Sequence, residues 1–527
     1  MIQDIAYIQL TELDREIFDA TVPADHYLRR VMEVVDFERF RELLISRYSR
    51  SMGRPPIEPL LLLKLEFLQY QYGLSDREVI AQTCVNMAYR LFLGLSLHSP
   101  LPDPSLLSKF RGRLGAQVHQ EVFHDLIAQA RQLGLVKDQL RLKDATHILA
   151  NIALPSTLQL VAQTREQLLE AARPYAPDRV AQEEAEAVRV RTSTHGLPDQ
   201  ERLLHRVTHL RAMVTWADEL LGDLERQSAA VDMQLPRLRE ALDLAHKVLH
   251  DRDDSKAPDK VVSVHDPEAR NGWHHQWFAG YLLDASVDPH SEFITAVDVL
   301  PPSADEAANA TALIEQEEQA HGNDVEALSI DSVGFRGDLL KQWTDPKGLN
   351  LEVIVPPKEP PPSSVFPPEA FTLNATGDEL TCPAGETTRS RQRNTNDTGW
   401  KYRFSARLCA GCPLREQCMQ EPKKTKSRCV IKNEYEETYR AAREKAKTPR
   451  YQEVRRQHPL IERKLGEMVR WHDCRHARYW GRAKVLIQAL MTGLVVNVKR
   501  FVKLVNDSER PAQGMVRASQ AALGAKG

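Results

Sequence analysis

Three acids set far apart carry the chemistry that this sequence can do. Asp144 lies in the run Leu140-Arg141-Leu142-Lys143-Asp144-Ala145-Thr146-His147-Ile148, which predicts a short strand delivering the acid into a small polar turn. Asp331 ends a second predicted strand that begins at Ala327, and Gly334 allows a sharp exit. Glu462 falls in a predicted helix entered at Pro459, a residue suited to a first helical turn. Carboxylates suit Mg²⁺ or Mn²⁺, which prefer oxygen ligands. Three acids from two strands and a helix can hold two such ions around a phosphodiester. One ion activates water or a 3′-hydroxyl, and the other stabilises the leaving 3′-oxygen. Each acid alone reads as an ordinary surface or capping carboxylate; their order along the chain gives them weight.

A second set of ligating residues follows. Cys382, Cys409, Cys412 and Cys418 include one Cys-x-x-Cys knuckle, and four thiols can fill a tetrahedral Zn²⁺ site that supplies folding energy to a small module. Cys429 is a substitute ligand. The competing reading is reduced thiols in an ordinary insertion.

Composition bounds the rest. The chain has 527 residues, 42% of them hydrophobic and 27% charged, which fits a globular protein of several domains. A net charge of −3 gives no global argument for nucleic acid. The charge is unevenly spread, however. Residues 251–350 hold 7 basic against 20 acidic residues, and residues 401–510 hold 27 against 12. An acidic, metal-collecting region is thus followed by a basic one. The first 14 residues carry no basic leader, and the most apolar run, 60–68, is broken by Lys64 and Glu66 and is too short to span a bilayer. Seven cysteines, an odd number, argue against a disulfide framework and for a reducing, cytoplasmic setting.

The elements that must position the acids follow from periodicity. Residues 1–137 predict an all-helical unit. An apolar helix over 57–68 ends at Gly73, Ser75 and Glu78 form a capping box for the next helix, and Pro102-Asp103-Pro104-Ser105 starts another that carries Lys109 and Arg111. After the Asp144 strand, residues 155–256 predict a helical hairpin or small bundle inserted into another domain, a spacer or dimerisation element. Runs at 278–288 and 293–300, joined by Pro289-His290-Ser291, predict a β-hairpin. A helix over 303–320 and the Asp331 strand complete a first part of the core, 138–350. Residues 351–430 read as a proline-rich connector and the cysteine insertion. Residues 431–505 read as a helical, basic C-terminal part, and 506–527 as a disordered tail. Cys474-Arg475-His476-Ala477-Arg478-Tyr479-Trp480 is a basic, aromatic loop able to grip phosphates and stack on a base.

Taken together, these stretches resemble the DDE transposases of bacterial insertion sequences. The resemblance rests on residues 54–112, the Asp144-Ala145-Thr146-His147 strand, Asp266-Pro267-Glu268-Ala269-Arg270, Gly280-Tyr281 to Asp288, Asp331 with Gly334, the cysteine segment, and Glu462 ahead of Arg475 to Lys484. It implies an α+β fold whose mixed sheet is ribonuclease H-like, with a large helical and a cysteine-containing insertion, behind an all-α N-terminal domain. It implies Asp144, Asp331 and Glu462 as Mg²⁺ ligands, and double-stranded DNA, terminal inverted repeats and target, as the partner of a homodimer. Arg463, Lys464, Arg475 and Arg478, with Lys109 and Arg111, are then the expected DNA contacts. The related Tyr-Arg-Glu-Lys signature places Arg four residues before the glutamate and Lys seven after, where this chain has His458 and Val469; Arg455, Arg456 and Arg470 lie nearby but offset. Glu467 is the fallback for Glu462. Two other readings share these residues: a nuclease of the same fold that cuts without joining, and a non-catalytic DNA-binding protein derived from a transposase.

Overall fold

A computed structural model describes residues 10–49, 57–227, 234–274, 276–358, 365–394, 398–419 and 427–524. The N-terminal part is helical: α1 (Glu12–Thr21), α2 (Tyr27–Val34), α3 (Phe40–Ile45), α4 (Pro59–Tyr72), α5 (Asp76–Val85), α6 (Met87–Leu93) and α7 (Ser105–Gln132). Helix α4 is apolar on every side and is buried along most of its length. Gly73, in the left-handed region, ends it, and the capping box of Ser75 and Glu78 starts α5.

The inserted bundle consists of α8 (Thr157–Ala172), α9 (Pro177–Ser193), α10 (Asp199–Gln227) and α11 (Leu235–Asp253). It buries its own apolar cluster, centred on Leu168, Leu210, Met213, Leu238 and Val248. Helix α9 lies within the stretch expected to form a helical bundle, and Val180, Glu183 and Ala187 are its buried residues.

The main sheet is mixed. Its strands are β1 (Arg141–Leu149), β2 (Arg270–His274), β3 (Gln276–Val287), β4 (Ile294–Leu300), β5 (Ala327–Ser329) and β6 (Glu352–Ile354). Across the sheet the order is β4-β3-β1-β5-β6, with β2 pairing the first half of β3 and β4 the second. β3 runs antiparallel to β1, while β5 runs parallel to β1 and β6 parallel to β5. Two elements differ from the sequence reading. β2 extends the hairpin backwards from the predicted strand. β6 takes Glu352–Ile354 into the sheet, inside the stretch expected to be connector.

Helices α12 (Asn309–His321) and α13 (Gly337–Trp343) flank β5. Two small three-stranded sheets follow, β7 (Thr372–Leu373), β8 (Leu380–Thr381) and β9 (Thr387–Thr388), then β10 (Arg391–Arg393), β11 (Trp400–Arg403) and β12 (Cys429–Lys432). Short helices α14 (Ala406–Ala410) and α15 (Arg415–Cys418) carry Cys409 and Cys418, with Cys412 in the turn between them. The chain finishes with α16 (Glu436–Lys445), α17 (Pro449–Gln457), α18 (Pro459–Trp471) and α19 (Arg482–Gly524). Helical backbone therefore continues past 506, where the sequence reading ends the folded part.

Over Arg482–Asp507, α19 is long and apolar enough to cross a membrane, but 83% of its most apolar window is buried inside the protein. It packs on α2, α4 and α7 on one side and on β4 on the other, so helical region and sheet share one apolar cluster. Asp266 and Glu268 accept hydrogen bonds from the amides of Gly481 (3.1 Å) and Arg482 (2.7 Å), satisfying donors left free at its start. Tyr281 donates to the same Asp266 oxygen at 2.6 Å. Part of the motif that resembles the transposases thus builds the frame.

Candidate active site

β1 and β5 bring the first two acids together through register. Their last parallel pair is Leu142 opposite Ser329, and Asp144 and Asp331 each lie two residues beyond it. Asp144 does not end its strand, as the sequence reading expects; β1 runs on to Leu149, held there by Arg475 O at 2.7 Å. Asp331 follows β5 directly and caps a 3-10 turn, Ser332–Gly334, by accepting from Val333 N at 3.1 Å. Gly334 is needed for closeness: a Cβ there would stand 2.6 Å from Ile330 Cγ2. Helix α18 packs on β1 and presents Glu462 from its first turn, exposed.

These three carboxylates act on one another. The Asp144 carboxyl is pushed up to about 6, first by burial and then by the negative charges of Asp331 and Glu462. The Ala145 amide, donating at 2.9 Å, and Lys143 oppose that rise. Glu467 belongs to a different group. Burial raises it, but Lys499 at 2.8 Å and Lys464 at 3.3 Å hold its carboxyl below the usual range. Among the described residues, no group of three or more His, Cys, Asp or Glu is gathered tightly enough to hold a metal ion. The donor set is nevertheless one of hard oxygens in mutual repulsion, which a divalent cation relieves.

Arg455 is the residue that spacing misses. Its Nη1 donates to Ile330 O at 3.1 Å, and Asp331, Glu462 and Asp144 all favour its charge against the burial that draws it down. Next to it, His458 is buried with Nδ1 3.1 Å from Ser329 Oγ, and burial lowers its ring to about 4. The signal was the basic pair Arg455-Arg456 ahead of Pro459, but it lies on α17, a separate helix, so a fixed offset from Glu462 passes over it.

The expected DNA contacts divide. Lys109 and Arg463 are exposed. Lys464 is buried between Glu292 (3.1 Å) and Glu467. Arg111 is buried against Asp76 at 2.6 Å and stacks on Tyr479 at 5.0 Å. Arg475 donates to His147 O and to Thr146 Oγ1, and Arg478 donates to Leu74 O at 3.0 Å while lying over Tyr70. The three arginines brace the loop, the end of β1 and the N-terminal helices against each other, and Lys464 ties α18 to the turn between β3 and β4. Sequence reasoning treated them as free cations because partners distant in the chain are invisible to it.

The cysteines converge. Cys382, Cys409, Cys412 and Cys418 line one small cavity with Phe371 and Phe404, and all are free thiols. Burial raises the Cys418 thiol, Arg428 opposes it, and the three other cysteines add to the rise.

Two family profiles match the chain. One, described as "Transposase domain (DUF772)", covers residues 16–113; the other, "Transposase DDE domain", covers residues 381–502. Two separate parts of the chain are thus similar to transposase domains, the second of the DDE type. The first profile covers most of the N-terminal helices, and the second runs from the cysteine region through Glu462 into α19. Over 130 residues, 24% of the chain, it is 28% identical to "Uncharacterized protein ORF8 in nfe locus" of Rhizobium meliloti. It covers 62% of that curated relative's length. No solved structure matches the chain.

Proposed function

We propose that this protein cleaves DNA at the ends of its own insertion element and transfers the 3′-hydroxyl ends to target DNA, using Asp144, Asp331 and Glu462. The observation that carries this reading is the strand register that sets Asp144 and Asp331 side by side, with Asp144 raised to about 6 by burial and then by the charges of Asp331 and Glu462. The strand order β4-β3-β1-β5-β6, with β3 alone antiparallel to β1 at its centre, supports a ribonuclease H-like core around them.

Asp144, Asp331 and Glu462 would hold Mg²⁺ or Mn²⁺, which supplies a polarised nucleophile and neutralises charge on the leaving oxygen. The protein's own part is placement. The two strands fix Asp144 and Asp331 in neighbouring positions, and Arg455 holds the peptide ahead of Asp331. Glu462 comes from a helix whose other side is buried, so its carboxylate faces the substrate side. Exposed Lys109 and Arg463 would contact the DNA backbone of the terminal repeats or target. The four thiols around one cavity support a structural Zn²⁺ in the cysteine insertion. A homodimer on DNA would join the two element ends.

The test is strand transfer in vitro. Purified protein, Mg²⁺ and a duplex bearing the inverted repeats that flank its gene should give cleaved 3′ ends and joined products. Cleavage without joining would support the nuclease reading, and binding alone would sink the enzymatic one.

A further inference from the structure

A groove of about 690 Å³ runs between α7 and α12, away from the acids described above. His124 of α7 and His321 of α12 both line it. His124 is only 7% exposed, yet neither ring nitrogen has a hydrogen-bond partner, and His321 Nε2 is likewise buried and unpaired. Gln316 Oε1, on the same groove, is a fourth buried polar atom without a partner. Buried polar atoms are normally satisfied, so three ring nitrogens and a carbonyl oxygen left over along one groove call for a ligand.

The two rings meet edge to face, their centroids 5.2 Å apart. Imidazoles on a tetrahedral ion, with metal–nitrogen bonds of about 2.0–2.1 Å, place their ring centres roughly 5 Å apart. Glu121 and Glu315 line the same groove and lend it negative character, while Asp125 there is paired with Arg39.

We propose that His124 and His321 bind one divalent cation of the imidazole-preferring kind, Zn²⁺, Co²⁺ or Ni²⁺, and so pin α7 to α12. Gln316 or solvent completes its coordination. The ion would join the long helix of the N-terminal region to the catalytic sheet at a point remote from the acids. This inference does not depend on the strand-transfer reading.

The experiment is cobalt titration of the purified full chain, followed by absorption, alongside a metal count for the wild type and His321→Gln. Cobalt on the cysteines carries a sulfur-to-metal charge-transfer band, so the thiol site is told apart. The expected result is one ion fewer per chain in H321Q. A tetrahedral, sulfur-free cobalt component should vanish with it, and Zn²⁺ should raise Tm in the wild type but not in H321Q beyond the thiol contribution. Folding of the variant is checked by circular dichroism. Equal metal counts and equal cobalt spectra in a folded H321Q overturn the proposal, as a bound water between the rings would produce. Should H321Q fail to fold, a wild-type cobalt spectrum with no sulfur-free tetrahedral component overturns it instead.

Discussion

Arg455 donates a hydrogen bond at 3.1 Å to the carbonyl oxygen of Ile330, the residue immediately before Asp331. A cation on α17 thereby ties down the backbone that carries an acid on β5, while its charge lies in the field of Asp144 and Glu462. Arg455→Ala is expected to slow single-turnover DNA cleavage by roughly 10- to 100-fold, about 1.4–2.7 kcal/mol of transition-state stabilisation. It should also move the acid limb of the cleavage profile to higher pH, because a charge that favours the ionised acids is gone. Arg455→Lys should restore the pH profile better than the rate. An unchanged profile in a folded Arg455→Ala protein would confine the residue to a structural part.

Asp144→Asn, Asp331→Asn and Glu462→Gln should each reduce cleavage by at least about 10³-fold, roughly 4 kcal/mol. Glu467→Gln should leave the chemical step nearly intact and lower Tm instead, since it breaks contacts to Lys464 and Lys499. A gel assay on pre-formed repeat ends, read beside a melting curve, separates the two glutamates. Loss of cleavage in the Glu467 variant with Glu462→Gln active would reverse the assignment.

The raised Asp144 carboxyl makes a stability prediction with a definite sign. Its folded pKa, about 6, lies above the ordinary aspartate value of 3.8, so ionising it costs folding free energy. That cost is absent below about pH 4, grows as pH rises, and is complete above about pH 6. Without divalent cations, Asp144→Asn should therefore be more stable than the wild type at pH 7.5, by about 3 kcal/mol, and nearly equal to it at pH 3.5. Added Mg²⁺ should close the gap at pH 7.5 by stabilising the wild type. Matching melts for the two proteins at pH 7.5 in EDTA would contradict this origin of the shift.

The divided basic residues predict two kinds of phenotype. Lys109→Ala and Arg463→Ala should weaken binding to any DNA sequence and reduce the slope of log K against log salt by about 1 each. Arg111→Ala should instead destabilise the fold by about 3–5 kcal/mol, since it strands Asp76 and Glu66 without their guanidinium. Chemical denaturation and salt-dependent binding distinguish them, and a salt-slope change from Arg111→Ala in a protein of wild-type stability would count against this division.

Much of the candidate site was legible because strands announce themselves by β-branched and apolar runs. Asp144 and Asp331 lay in such runs, and parallel register then makes them neighbours. Glu462 was favoured over Glu467 by Leu460 and Ile461, which are buried, and the ion pairs of Glu467 give the physical reason. Arg455 and β2 escaped for different reasons. Arg455 acts across a helix boundary, and β2 is a short strand around Gly272 and Trp273. Buried cations such as Lys464 and Arg111 were misjudged as free because Glu292 and Asp76 reach them only through the fold.

Helix α19 packs on both the N-terminal helices and the sheet. On a ribosome this fixes an order of events. At about 5–20 residues per second, tens of seconds separate the emergence of Asp144 from that of Glu462 and of the helix that completes the shared core. Until then the early helices lack a surface they bury in the finished protein, and the acids are not yet assembled. The three acids of a newly made chain thus come together only after α19 has emerged.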